Sequence, residues 1–509
     1  MTTRITRLIL RLVLLLFSTF ALAQTTPPNL NGFDGFVEQV MKDWKVPGIA
    51  VAIVKDGKVV YAQGYGYRDV KRQLKVTPDT LFAIGSCSKA FTAAALGMLV
   101  DEKKLQWDET VRTHLPELRL YDDYATSRIR ARDLVSHQSG LPRHDLVWYG
   151  SPLPRQELFD RLRYLEPSAP LHVKYQYNNL MFMTAGVLLE RLAGQTWEEF
   201  VRQRIFAPLG MKNSNFSVTA MQKTADFSLP YGEEKDEVKA IPFRNIDEIG
   251  PAGSINSSVN EMTNWLFLQM NQGKAGDKQV ISEQNLLVTQ TPQIVAGGDL
   301  KYDESFYASY AMGWAVYTYR GHHTIRHGGG IDGFTSNVTV LPKDKIGVVV
   351  LTNSSSPASG LIANVALDRM LGLSEVPHVQ RAKEAEAKGK EAAAKAKADD
   401  EAKRKKDTKP TLALAEYAGQ FVHPAYQTLT ITRDGEQLKG NLHGLSFTLK
   451  HYHYDVFQDA DGTLSGLKVA FQMNKAGELD RVAILLEPSV KEIVFTRRKD
   501  NTAAATSGK

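Results

Sequence analysis

Ser86-Cys87-Ser88-Lys89 sets a hydroxyl and an amine three residues apart where an apolar run begins. On an α-helix, residues i and i+3 share a face, so the Ser86 oxygen and the Lys89 nitrogen come within hydrogen-bond reach, the outline of an activated nucleophile. The run Ala90 to Val100 that follows is apolar almost all round, which predicts a buried central helix. At the head of such a helix, desolvation lowers a lysine's pKa and makes it a base near neutral pH. The same four residues also fit an N-capped helix with a snorkelling lysine, so the assignment depends on the rest of the chain.

Two other clusters carry groups that could complete a site. Tyr177-Asn178-Asn179 precedes the apolar helical run Leu180 to Leu192, which places it at a helix entrance where side chains can face a cleft. His327-Gly328-Gly329-Gly330 falls in a strand-like region, and three glycines leave a bare backbone open to a ligand. Read singly, these are a helix cap and a glycine-rich turn. Cys87, the only cysteine, lacks a basic neighbour at a favourable spacing and reads as a small buried helix residue. No Gly-x-Ser-x-Gly elbow, phosphate loop or dinucleotide fingerprint occurs. His323 and His327 are four apart but lack the intervening glutamate of a zinc helix, and His451 and His453 read as packed strand residues.

The elements that must position these groups follow from periodicity. Phe33, Phe36, Val37, Val40, Met41 and Trp44 sit at helical spacing, ended by Val46-Pro47-Gly48. Ile49 to Val54 and Val59 to Gln63, joined by Lys55-Asp56-Gly57-Lys58, predict a hairpin, as do Ser336 to Leu341 and Ile346 to Thr352. Leu361 to Leu371 reads as helix, and Leu96 to about Leu268 as helices and loops. The layout expected is α+β, an antiparallel sheet built from both ends of one region and flanked by helices, with a helical subdomain inserted between.

Residues 381–410 are charged and alanine-rich and contain Glu391-Ala392-Ala393-Ala394-Lys395, the unit of semi-rigid helical spacers, so a charged helical linker is expected to separate two domains. From 411 to 497 short β-like runs return (Thr428 to Thr432, Gln437 to Leu442, Leu467 to Gln472, Val482 to Leu486), with turns at Asp434-Gly435 and Asp461-Gly462, predicting a small all-β domain. Residues 501–509 read as a disordered tail.

Arg4, Arg7 and Arg11 precede the apolar run Leu12 to Phe20, and Ala21-Leu22-Ala23 offers a small-residue cleavage site. Residues 1–23 are therefore expected to be a cleaved export signal, sending the protein to the periplasm or medium with no stable membrane span, an uncleaved anchor being the alternative. The net charge of +6 belongs to this signal and to the linker, whose 11 basic and 7 acidic residues leave a surplus of four. The remainder is near neutral and has no electrostatic footprint for nucleic acid.

Taken in order, Ser86-x-x-Lys89, Tyr177-x-Asn179 and His327-x-Gly329 resemble the penicillin-recognising serine hydrolases, the family of class C β-lactamases, D,D-carboxypeptidases, D-aminopeptidases and related esterases. Arg132 to Leu141 and Pro251-Ala252-Gly253-Ser254 are also family-like, and the resemblance spans residues 30–372. The stretch from Thr411 to about Phe495 looks like the β domain often appended to such enzymes; what that domain would bind is unknown. The resemblance implies Ser86 as nucleophile, Lys89 as its base and Tyr177 as proton shuttle to the leaving group. It implies Asn179, His327 and Gly329 as substrate-binding groups, and backbone N–H groups of Ser86 and Gly330 as an oxyanion hole. No metal or cofactor is expected, and the substrate would be a small molecule or peptide. His327 stands where many β-lactamases have lysine, and it is expected to titrate across roughly pH 5.5 to 7.5. The expectation is an exported hydrolase of peptides, amides or esters, foremost a peptidase of D-residue or small peptides, with an esterase or β-lactamase next. A penicillin-binding sensor or scaffold that acylates without turnover is the reading from another class.

Overall fold

The computed structural model describes residues 28–234, 237–298, 301–459 and 464–499. The signal sequence, the Asp461-Gly462 turn and the tail lie outside the described residues.

The first hairpin shows why the chain folds as it does. β1 (Gly48–Lys55) and β2 (Lys58–Asp69) turn at Asp56 and Gly57, both with positive φ, the backbone a tight two-residue hairpin requires. β1 is a continuous apolar run because both its faces are covered. Ile49, Val51 and Ile53 join one core with Phe33, Val37 and Val40 of α1 (Phe33–Asp43), whereas Ala50, Ala52 and Val54 join the other. A two-residue strand β3 (Leu74–Lys75) ends this side of the sheet.

The second core is built around α2 (Ser88–Asp101) and α3 (Asn179–Ala193), which bury every residue from Ser88 to Leu99 and from Asn179 to Leu189. Helices apolar all round belong inside, and these two pack against each other. The chain then returns through β4 (Ile294–Gly298), β5 (Tyr307–Tyr310), β6 (Ala315–Tyr319), β7 (His322–Ile331), β8 (Phe334–Leu341) and β9 (Ile346–Thr352). The nine strands run β4-β5-β6-β7-β8-β9-β1-β2-β3, with β1 antiparallel to β9 through Ile49↔Thr352 and Ile53↔Val348. The α+β layout expected from the sequence is therefore present, with α4 (Ala358–Met370) packed beside α1.

After α5 (His378–Lys403) come β10 (Gly419–His423), β11 (Gln427–Asp434), β12 (Gln437–Leu442), β13 (Leu445–His453), β14 (Val456–Asp459), β15 (Lys468–Met473), β16 (Leu479–Ile484) and β17 (Ile493–Arg497), closed into a barrel. Its interior is filled by side chains such as Phe421, Phe457, Phe471 and Phe495. Gly440 admits the Phe447 ring, which a Cβ at that position would meet at 2.1 Å.

The helix expected between the two domains is also tied to both of them. α5 is helical and exposed, but Lys383 pairs with Asp43 at 2.9 Å, and near its other end Asp400 pairs with Lys468 while Arg404 donates to the Tyr452 carbonyl at 2.7 Å. The barrel itself packs on the hydrolase, and buried side chains of both form one continuous apolar cluster. Among the described residues, no helix is long and apolar enough to cross a membrane.

Candidate active site

Ser86 stands in a single 3-10 turn, Gly85–Cys87, that runs directly into α2. Gly85 takes φ +51, and a Cβ there would lie 2.7 Å from the amide nitrogen of Gly330, so only glycine permits this approach of β7 to the turn. Gly330 is exposed, with open space where its side chain would be. Beyond Arg326, β7 has left its partner β6 and keeps only β8, so a free backbone edge runs beside Ser86. This sets the backbone of Gly330, on that edge, against the turn that carries Ser86.

Lys89 is completely buried, its Nζ 3.0 Å from Ser86 Oγ, 2.7 Å from Asn179 Oδ1 and 2.8 Å from the Ala252 carbonyl oxygen. Burial, reinforced by the nearby Arg143 guanidinium, holds the ammonium form well below the usual lysine range. Lys89 Nζ donates to Ser86 Oγ, Asn179 Oδ1 and the Ala252 carbonyl, and loss of one proton would leave its lone pair to accept the Ser86 hydroxyl proton while the other two bonds stay. Tyr177 is shifted the other way: burial raises its phenol despite the hydrogen bond it shares with Ser86, so it carries its proton at neutral pH. A lysine whose proton is loosened and a phenol whose proton is held, both at one hydroxyl, are what an acid–base pair requires.

Three sequence expectations meet a different environment. Asn179 is engaged on both sides, accepting from Lys89 and donating to Asp145 Oδ1 at 3.0 Å, so in this state its amide links those two residues. At Gly329 a Cβ would meet the Ile84 carbonyl oxygen at 2.0 Å, so the missing side chain serves the packing of β7 on the nucleophile turn. His327 does not titrate near neutrality, because it is buried and its pKa is lowered to about 3 by desolvation and by Lys89. Its Nδ1–H donates to the Gly328 carbonyl at 2.6 Å and its Nε2 accepts from the Tyr310 hydroxyl at 2.9 Å, a neutral, fixed ring. Cys87 is the small buried residue expected: it sits against Ser336 Oγ and the His327 carbonyl, and burial pushes its thiol up to about 12.

Burial holds His423 and His443 neutral as well, each with a pKa lowered to about 4. Between these values and the reference of about 6.5, the unfolded chain binds protons that the folded chain does not, so stability is lost as pH falls through that window. Urea unfolding midpoints are therefore expected to drop between pH 7 and pH 5. Equal midpoints would show that these rings are protonated in the fold.

A family model described as Beta-lactamase matches residues 33–369. The chain belongs to the beta-lactamase family. A second model, a domain of unknown function (DUF3471), matches residues 403–497, the barrel. Among curated proteins, the unguisins hydrolase ungD' of Aspergillus campestris is 29% identical over 511 residues, covering 93% of each chain. Among solved structures, the octameric penicillin-binding protein homologue from Pyrococcus abyssi aligns with TM-score 0.63 at 24% identity, over 91% of this chain and 99% of its own. The D-amino acid amidase from Ochrobactrum anthropi SV3 aligns with TM-score 0.57 at 20% identity, over 70% of this chain and 100% of its own. These two likenesses are of fold. The protein is a serine hydrolase of the beta-lactamase family with a C-terminal antiparallel barrel.

Several residues at this beta-lactamase-family site were not singled out by sequence. His137, buried with φ +60, accepts the Asn178 N–H on Nδ1 at 3.0 Å and lies 4.3 Å from the Tyr177 ring. It sits in the family-like segment Arg132 to Leu141, which carried no assigned role. Arg143 covers the outer face of the Tyr177 ring, and Asp145 accepts from Asn179 and from Trp148 Nε1. Nothing local in Pro142-Arg143-His144-Asp145 announces this, since the partners that tie the segment to the site, Tyr177 and Asn179, lie on another element and meet it only through the fold.

Proposed function

We propose that the protein is an exported enzyme that cleaves an amide bond of small peptides or of D-residue compounds through an acyl-Ser86 intermediate. The carrying observation is the 3.0 Å approach of Ser86 Oγ to the completely buried Lys89 Nζ. As Oγ attacks the carbonyl carbon, its proton passes to Lys89 and the carbonyl electrons become an oxyanion held by the N–H groups of Ser86 and Gly330. Tyr177 then protonates the leaving nitrogen as the C–N bond breaks, drawing its replacement proton from Lys89. Water hydrolyses the acyl-enzyme by the reverse relay, releasing the acid and restoring Ser86.

Amide cleavage is supported by the hydrolase and amidase names of the relatives and by the neutral His327, which offers no fixed cation where a β-lactam carboxylate would sit. Export is supported by the arginines and apolar run before Ala23. The test is steady-state turnover on a panel of D-alanyl peptides, D-amino-acid amides, short acyl esters and a chromogenic cephalosporin. Repeated turnover is expected on the amides, with the cephalosporin slowest. A single stoichiometric burst on every substrate would replace the enzyme with a penicillin-binding sensor, and fastest turnover of the esters would replace the peptidase with an esterase.

A further inference from the structure

His144 is a hydrolase residue held by the barrel. It is completely buried, and its backbone takes φ +45, a strained region for any residue with a side chain. Its backbone N–H donates to Glu487 Oε2 at 3.0 Å. Its ring Nε2–H donates to the Glu166 carbonyl at 2.9 Å, which leaves Nδ1 to accept the Tyr426 hydroxyl at 2.8 Å. Tyr426 and Glu487 are barrel residues, themselves buried. The same loop is fastened further along, where Gln427 donates to Ser151 Oγ at 2.9 Å and the His443 carbonyl approaches Gly150 too closely for a Cβ to fit without a shift.

The two chain neighbours of His144 are Arg143 and Asp145. Arg143 lies over Tyr177, its guanidinium carbon 4.9 Å from the ring centre, and its Nε donates to Asp145 Oδ2 at 2.5 Å. Asp145 Oδ1 accepts from Asn179, whose Oδ1 accepts from Lys89. Hydrogen bonds from the barrel thus hold one strained residue, and its chain neighbour Asp145 is hydrogen-bonded through Asn179 to the base of the nucleophile. We infer that the C-terminal barrel is a positioning element of the hydrolase site, with Tyr426 and Glu487 clamping His144 so that Arg143 and Asp145 hold Tyr177, Asn179 and Lys89 in register. This rests on the reading of Lys89 as the base of Ser86. Tyr426, Glu487 and His144 are positioning residues, since none touches the reacting atoms.

The sign of the effect follows from the groups that face Lys89: Arg143 and Asp145 from the clamped loop, Cys87 and Tyr177 beside Ser86, and the neutral rings of His137 and His327. Arg143 opposes the lysine charge more strongly than Asp145 supports it, and the loop also keeps water out. Freeing the loop removes both influences, so Lys89 holds its proton to higher pH.

The experiment measures the second-order rate of fluorophosphonate labelling of Ser86 from pH 5 to 9 in full-length protein, for wild type, Lys89→Ala, Tyr426→Phe, Glu487→Ala and Glu487→Gln, with thermal midpoints alongside. Tyr426→Phe, the loss of one oxygen, and Glu487→Ala are each expected to slow labelling about 10-fold at pH 7, a fraction of the ~10²-fold that a 1 Å misplacement can cost, and to move the acidic limb to higher pH. Glu487→Gln, whose amide oxygen still accepts the His144 N–H, should restore both. Barrel variants that lower only the thermal midpoint, with rates and limb superimposed on wild type while Lys89→Ala fails to label, would overturn the clamp. Wild-type labelling in Lys89→Ala would instead overturn the reading of the base, and the clamp with it.

Discussion

Lys89→Ala is expected to lower turnover by about 10³-fold, within the ~10² to 10⁴ that a positioned general base contributes, and Lys89→Arg should do no better. Arginine keeps a positive charge but cannot give up its proton at working pH, and its planar head cannot occupy a site closed by Ser86, Asn179 and Ala252 on three sides. On the proposed mechanism Ser86, Lys89 and Tyr177 act as one unit, so Tyr177→Phe and Ser86→Ala should cost comparable amounts, and the double variant Lys89→Ala/Tyr177→Phe little more than either single one. Peptide mapping after fluorophosphonate treatment should place the label on Ser86, since Ser88 is bonded to the Gly85 carbonyl inside the core and Ser139 is buried. Label on either of those two, or near-wild-type turnover in Lys89→Ala, would remove Lys89 from the mechanism. The acidic limb of the rate profile belongs to Lys89 on this reading. His327→Gln, which removes the imidazole, should leave that limb in place, because the ring is neutral throughout the range in which the enzyme is assayed.

What could be read from the chain alone divides along sequence separation. Ser86 and Lys89 are three residues apart, so helical geometry already pairs them. The Ile49 to Val54 run and the Asp56-Gly57 turn are equally local, and so is Gln437 to Leu442, which alternates between the barrel interior and solvent. β4 was invisible because two of its five residues are glycine and its exposed side has no alternation to read. The Tyr177 and His327 clusters gained meaning only together, through resemblance, because α3 and β7 meet Ser86 by tertiary packing. Burial was the harder property. His327 sits beside three glycines in a segment that looks open, and its neutral state depends on burial and on Lys89, which is distant in sequence. The alanine-rich composition correctly implies a helix at α5, whereas its docking depends on Asp43, Tyr452 and Lys468, none of them near in sequence. His144 is the extreme case, since Glu487 lies 343 residues away.

Gly329→Ala is the substitution outside the acid–base groups with the largest expected effect, because the added atom meets backbone. The new Cβ would stand 2.0 Å from the Ile84 carbonyl oxygen, 2.9 Å from its carbon and 2.3 Å from Ser336 Oγ. Ser336 donates to that same Ile84 carbonyl at 2.8 Å, so the side chain has no slack that leaves its bond intact. Relief requires β7 and the Ile84-Gly85-Ser86 turn to separate. That motion pulls the Gly330 N–H from the Ser86 N–H, the pair proposed to hold the oxyanion, and a shift near 1 Å can cost about 10²-fold in rate. A fall of about 100-fold in the Ser86 labelling rate is expected for Gly329→Ala, with the pH of the acidic limb unchanged, because Lys89 lies on α2 and its partners Asn179 and Ala252 lie on α3 and in residues 250–253, none of them on β7. Gly328→Ala is the control: its nearest neighbour to a Cβ is the Ser336 carbonyl at 3.7 Å, ordinary contact, so its labelling rate should remain near wild type. Equal rates for the two variants would show that the β7 edge is free to move and does not set the geometry at Ser86.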